Sequence, residues 1–124
     1  MLAGAQFIGF VPTTDLARAR SFYEGTLGLR CTDDSPIACV FDASGTMLRV
    51  TAVPELTPAG YTVAGWLVDD IAAVVKALVD VGVEFRRFEG MEQDELGVWT
   101  TPDGGKVAWF NDPDGNVLSL TQPA

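Results

Sequence analysis

The sequence contains no histidine. A metal site in this chain therefore cannot be built from imidazole, the commonest protein metal ligand. Basic residues are few: 8 lysines and arginines stand against 17 aspartates and glutamates, for a net charge of −9. Nucleic acids and anionic membranes both need a basic footprint, so neither is expected as a partner. No apolar run approaches the ~20 residues of a membrane-spanning helix. Met1-Leu2-Ala3-Gly4-Ala5 lacks a basic region and a long apolar stretch, so no signal peptide is expected. Cysteine is scarce as well. Cys31 and Cys39 are the only two, which suits a reducing compartment better than a disulfide scaffold, and a cytoplasmic location is expected. Low-complexity segments are absent.

Core-forming residues are plentiful. Of 124 residues, 48% are hydrophobic and 20% charged, enough for one domain or for two half-domains sharing a core. The acidic balance is compatible with a cationic ligand, although solubility alone explains it.

One pattern occurs twice. Residues 7–29 read as a strand, then Thr14-Asp15-Leu16, then a helix ending in Leu27-Gly28-Leu29. Residues 62–85 repeat it: a strand, then Asp69-Asp70-Ile71, then a helix ending in Val81-Gly82-Val83. Asp15 (or Thr14) and Asp70 are natural N-caps, and the glycines suit C-terminal caps. Leu16, Ala19, Phe22, Tyr23 and Leu27 mark the buried face of the first helix; Ile71, Val74, Val75, Leu78 and Val79 mark that of the second. Hairpins follow each helix. In the first unit, residues 37–41 and 46–53 read as paired strands joined by Asp42-Ala43-Ser44-Gly45. In the second, 84–88 reads as a short extended segment and 89–95 as an acidic loop. Strands at 97–101, 105–110 and 116–122 then follow, joined by Pro102-Asp103-Gly104 and Asp112-Pro113-Asp114-Gly115. The organisation expected is a single domain over 1–124, with module one at 5–53, a linker at 54–60 and module two at 61–122. A duplicated strand-helix-hairpin unit predicts two half-sheets enclosing one shared cleft.

The motif Asp-Leu-x-x-Ala-x-x-Phe-Tyr with Leu-Gly-Leu (Asp15 to Leu29), the closing Asp-Pro-Asp-Gly-Asn (Asp112 to Asn116) and the order β-α-β-β-β twice resemble the vicinal oxygen chelate superfamily. That superfamily includes glyoxalases, extradiol dioxygenases, fosfomycin-resistance enzymes and bleomycin-binding proteins. The resemblance covers residues 5–122. It implies an α+β fold in which two βαβββ modules form a curved mixed sheet, with a cleft on one side and helices on the outer face.

In metal-dependent members of the superfamily, ligands come from the first and last strands of each module. Carried over by distance from the motifs, those positions fall on Ile8 and Val63, each seven residues before its capping aspartate, and on Arg49 and Ser119. Isoleucine and valine have no donor atom, arginine has no lone pair to offer, and neutral serine is a poor ligand. No metal and no cofactor are therefore expected. An all-carboxylate site from Asp33, Asp34 or the Glu92-Asp94-Glu95 loop stays open on paper, beside the reading that these are solvated charges.

Strand alternation extends the cleft. With Ile8 facing inward, Phe10 follows; with Arg49, Met47 and Thr51; with Val63, Gly65 and Leu67; with Ser119, Val117 and Thr121. Tight turns at 112–115 and 102–105 set Phe110 opposite Val117 and Trp99 opposite Ala108. Trp99 and Phe110 then join the Ser119 face, while Trp66 and Trp109 point to the helices. The expected ligand-binding set is Ile8, Phe10, Met47, Arg49, Thr51, Val63, Trp99, Phe110 and Ser119. Arg49 is its one inward charge. It is suited to a carboxylate or phosphate, or else to an internal ion pair or simple exposure.

The leading expectation is a metal-independent binding protein resembling the bleomycin-binding type. It would hold a small organic molecule in an aromatic, largely apolar cleft, and a homodimer is implied by the resemblance. The alternatives are a metal-free enzyme of lyase or isomerase type, with Tyr23, Glu95 or Cys39 moving the proton, and a structural protein with a collapsed cleft. Metal-dependent glyoxalase or dioxygenase chemistry is not expected.

Overall fold

The structure, a computed structural model, describes residues 1–124. The chain divides into two compact units, Met1–Thr57 and Pro58–Ala124. Each contains one helix and one four-stranded mixed sheet.

The first unit runs β1 (Ile8–Thr13), α1 (Leu16–Arg20) with a π-helical continuation (Ser21–Thr26), β2 (Arg30–Asp34), β3 (Ala38–Ala43) and β4 (Thr46–Ala52). The sheet order is β1-β4-β3-β2, with β1 parallel to β4 and the other pairs antiparallel. Pro12 is tolerated because β1 lies at the edge, where a missing N–H breaks no internal rung. Asp15 caps α1 by accepting from the Arg18 amide at 3.0 Å. One α-helix was expected here, but the second half is a π-helix. The Leu27 amide donates to the Phe22 carbonyl, five residues back, at 2.9 Å, and this bond closes the π turn. Gly28 then ends the helix at φ 78°. Val11, Ala19, Tyr23, Cys39, Phe41 and Val50 are all buried, and the Tyr23 and Phe41 rings lie 5.7 Å apart. The hairpin between β3 and β4 turns on Ser44 and Gly45, both left-handed, and the Asp42 carboxylate accepts from the Gly45 amide.

The second unit runs β5 (Thr62–Leu67), α2 (Ile71–Asp80), β6 (Trp99–Thr100), β7 (Lys106–Asn111) and β8 (Val117–Gln122). Its sheet order, β5-β8-β7-β6, repeats the first topology, with β5 parallel to β8. Asp70 caps α2 through the Ala73 amide at 3.1 Å. The Ile71 amide donates to Gln122 Oε1 at 2.9 Å, fastening the start of the helix to the last strand. Ile71, Val75, Ala108, Phe110, Leu118 and Leu120 form the core between helix and sheet.

The strands of this unit are shorter than the sequence suggests. Only Trp99 and Thr100 are in a strand where 97–101 was expected. The 84–88 segment is held to β7 by a single bridge, Phe85 to Phe110, and by the Arg86 amide on the Trp109 carbonyl at 2.7 Å. The cause is Gln93. Its side chain accepts from the Phe88 amide (2.7 Å) and donates to the Arg86 (2.9 Å) and Gly97 (2.7 Å) carbonyls, so an amide side chain replaces part of a strand ladder. No helix is long and apolar enough to cross a membrane.

Candidate functional site

In the first unit, α1 covers one face of the sheet and the helix-free face carries the candidate residues. The register sets Ile8 beside Met47, Phe10 beside Arg49 and Pro12 beside Thr51. Across β4, Arg49 lies beside Val40 and Met47 beside Asp42. Phe10 is 62% exposed, Met47 41% and Ile8 40%, so the face presents apolar surface. Arg49 and Thr51 are half-buried.

Arg49 makes no ion pair and no hydrogen bond, unlike its counterparts. Arg20 bonds Glu24 and Asp34, Arg30 pairs with Asp42, Arg86 lies over the Phe88 ring, and Arg87 donates to the Glu95 carbonyl. The carboxylate beside it on this face, Asp42, is already engaged by Arg30 at 3.7 Å and by the Gly45 amide at 2.9 Å. Two residues along β4, Thr51 Oγ1 is buried with no hydrogen-bond partner.

In the second unit, the helix-free face carries Trp99, Val107, Trp109, Ser119 and Thr121, with Gly65 and Leu67 from β5. This corrects the sequence reading in two places. Phe110 pairs with Leu118 on the helix side and is fully buried there, so it leaves the candidate set. Trp109 pairs with Ser119 and takes its place, with its ring 6.3 Å from Trp99 and 5.3 Å from Phe88. The physical reason is the length of the closing loop. Buried Asp112 and Asn116 bond each other through their side chains, and Asp112 also receives the Asn116 and Asp114 amides. Asn116 is thus a member of the loop, Asn111 faces Val117, and β7 moves one residue against β8. The pairing of Asp with Asn at the two ends of the motif was the available signal. The loop before β7 is also one residue longer than read, so Trp99 pairs with Val107 rather than Ala108.

Val63 stands in a register irregularity between Thr62 and Ala64, 37% exposed, and alternation cannot be carried through it. Ser119 is buried under close approach of β5: a Cβ at Gly65 would lie 2.6 Å from Ser119 Oγ.

The candidate acid–base groups do not converge. Tyr23 is fully buried in the helix-side core, and Glu95 lies exposed in the 84–98 loop. Cys39 is buried beside an open groove of about 660 Å³ lined by Leu16, Arg20, Ser21, Glu24 and Asp34. Burial pushes its thiol up to about 11, helped by the hydrogen bond to Asp34 at 3.4 Å. A thiol so shifted is a poor nucleophile at neutral pH. Asp34 itself is bonded by Arg20 at 2.6 Å. At the positions where the resemblance implies metal ligands, Ile8, Val63, Arg49 and Ser119 supply neither imidazole nor carboxylate, and no group of three potential ligands gathers in the structure.

The chain matches a family model described as the Glyoxalase/Bleomycin resistance protein/Dioxygenase superfamily over residues 6–120. No curated protein matches it. Among solved structures it is similar to TnmS3, an antibiotic binding protein from Streptomyces sp. CB03234. Identity is 28% and the TM-score 0.76, over 100% of this chain and 99% of that one. A superfamily member from Sphaerobacter thermophilus has 23% identity and TM-score 0.76, over 99% and 100% of the two chains. Lactoylglutathione lyase from Agrobacterium tumefaciens has 18% identity and TM-score 0.72, over 96% and 93%. At these last two identities the likeness shows the fold alone.

Proposed function

This chain belongs to the glyoxalase/bleomycin resistance protein/dioxygenase superfamily, and within it we propose a metal-independent binding protein for a small organic molecule. The observation that carries the proposal is the helix-free face of the first sheet, where Phe10, Ile8 and Met47 stay exposed around a guanidinium. Apolar walls with one fixed polar anchor are the usual makeup of a ligand site. Val63, Trp99, Trp109 and Ser119 belong to the proposed site in the second unit, with the two indoles as its aromatic surface. Metal independence is supported by the donor chemistry: no side chain at the superfamily's ligand positions is a good ligand for a divalent ion. The likeness to an antibiotic binding protein supports sequestration over turnover, as does the scatter of the acid–base candidates.

A homodimer and a cytoplasmic location complete the reading. The open strands at the edges of both sheets support the first, and the unpaired thiols Cys31 and Cys39 the second.

The test combines elemental analysis of the purified protein with protein-observed NMR against a library of small aromatic compounds. Metal well below one ion per chain is expected, with shifted amide resonances in β1 and β4. A tightly bound stoichiometric divalent ion refutes metal independence. A library that moves no resonance on either helix-free face refutes the binding role.

A further inference from the structure

We propose that the ligand is an aromatic monocarboxylate, received by Arg49 and stacked on Phe10. The inference rests on the small-molecule-binding reading above and names its ligand class from the hydrogen bonds the face leaves unmade.

Two donors stand two residues apart on β4 without acceptors. The Arg49 guanidinium has no partner although the chain carries 17 acidic residues. The Thr51 hydroxyl is buried and unpaired, and a buried hydroxyl in that state is destabilising unless something completes it. Asp42, the nearest acid in register, is held by Arg30 and Gly45 and is turned to its own hairpin. Thr51 Oγ1 is closed off from solvent, so the group open to an acceptor from outside the protein is the Arg49 guanidinium. A guanidinium has no lone pair, so that acceptor carries the lone pairs, and its fork matches the two oxygens of a carboxylate.

Charge decides between anions. One guanidinium compensates one negative charge, and the chain as a whole, Arg49 included, carries a net −9. A dianionic phosphate would keep an uncompensated charge in that field, whereas a monocarboxylate is neutralised. The neighbours decide the body of the ligand. Phe10 lies beside Arg49 in the register with 62% of its surface open, and Ile8 and Met47 follow at the next position. A flat apolar ring covers these side chains while its carboxylate reaches the guanidinium.

The probes are 2-naphthoate, its neutral analogue 2-naphthamide and 2-naphthyl phosphate, titrated into the intact chain by NMR and calorimetry. Naphthoate is expected to bind about tenfold or more tighter than naphthamide, with naphthyl phosphate no tighter than naphthoate. Arg49→Gln should bring naphthoate and naphthamide to within about twofold of each other, and Arg49→Lys should fall between. Equal binding of naphthoate and naphthamide by the unmodified chain overturns the inference while leaving the binding role intact. So does a preference for naphthoate that survives Arg49→Gln. Tighter binding of the phosphate overturns the monocarboxylate class. Failure of all three probes to shift β1 or β4 overturns both the inference and the role it rests on.

Discussion

The two units share a topology and differ in how they treat their polar groups. The second ties several of them together internally. Gln93 joins three backbone groups of one loop, Asp112 and Asn116 close another, and Gln122 caps the first amide of α2. The first leaves the Arg49 guanidinium and the Thr51 hydroxyl unmatched on its helix-free face. The two units therefore share their strand order and helix caps, while each settles its hydrogen bonding in its own way. The lesson is that pseudo-equivalent positions are most informative where the copies disagree.

The largest effect that would sharpen this contrast comes from Gln93→Ala. It strips partners from the Phe88 amide and the Arg86 and Gly97 carbonyls at once, and a loss of about 2–3 kcal/mol is expected in urea unfolding. A change below about 0.5 kcal/mol would mean that water replaces the side chain and that the second unit is less self-sufficient than described. Next is Gly65→Ala, where the new methyl meets Ser119 Oγ at 2.6 Å and the Ser119 carbonyl oxygen at 3.0 Å. About 1–2 kcal/mol of destabilisation is expected by thermal unfolding, overpacking outweighing the gain in strand propensity. An unchanged melting temperature would show that β5 moves freely against β8.

The last effect belongs to the first unit and is confined to alkaline pH. The Cys39 thiol titrates near 9.0 when unfolded and is pushed up to about 11 by burial and by Asp34. The folded state thus holds the proton longer than the unfolded state. Its contribution to stability is complete below pH 9 and is lost as pH rises from 9 towards 11. Denaturation midpoints should fall across that window, and Cys39→Ser should flatten the fall. Alkylation near pH 8 should modify the half-buried Cys31 ahead of Cys39. Equal labelling would show that β3 opens readily.

Much of the fold was legible because its signals are local. Asp15 and Asp70 cap the helices and Gly28 and Gly82 end them, since each acts on bonds within a few residues. The register of the second sheet was not legible, because one additional loop residue reverses every side chain beyond it. Reading Asp112 to Gly115 as the whole turn sent Phe110 to the wrong face and hid Trp109. The alternation that grouped Ile8, Phe10, Met47, Arg49 and Thr51 needs no turn length, only period two along β1 and β4. The isolation of Arg49 depends on where Arg30 points, and the unmet Thr51 hydroxyl on the packing around it. Neither can be read from spacing.

The π-helical stretch Ser21–Thr26 has a further consequence. A turn closed by a bond to the fifth preceding residue holds one residue more than a turn closed to the fourth. Gly25 sits in it with nothing within 4 Å of where a Cβ would stand. Deletion of this glycine would let the segment rewind as a plain α-helix, with Leu27 then four residues after Phe22. The first helix thus has a site at which the chain can change length by one residue without breaking the hairpins that follow.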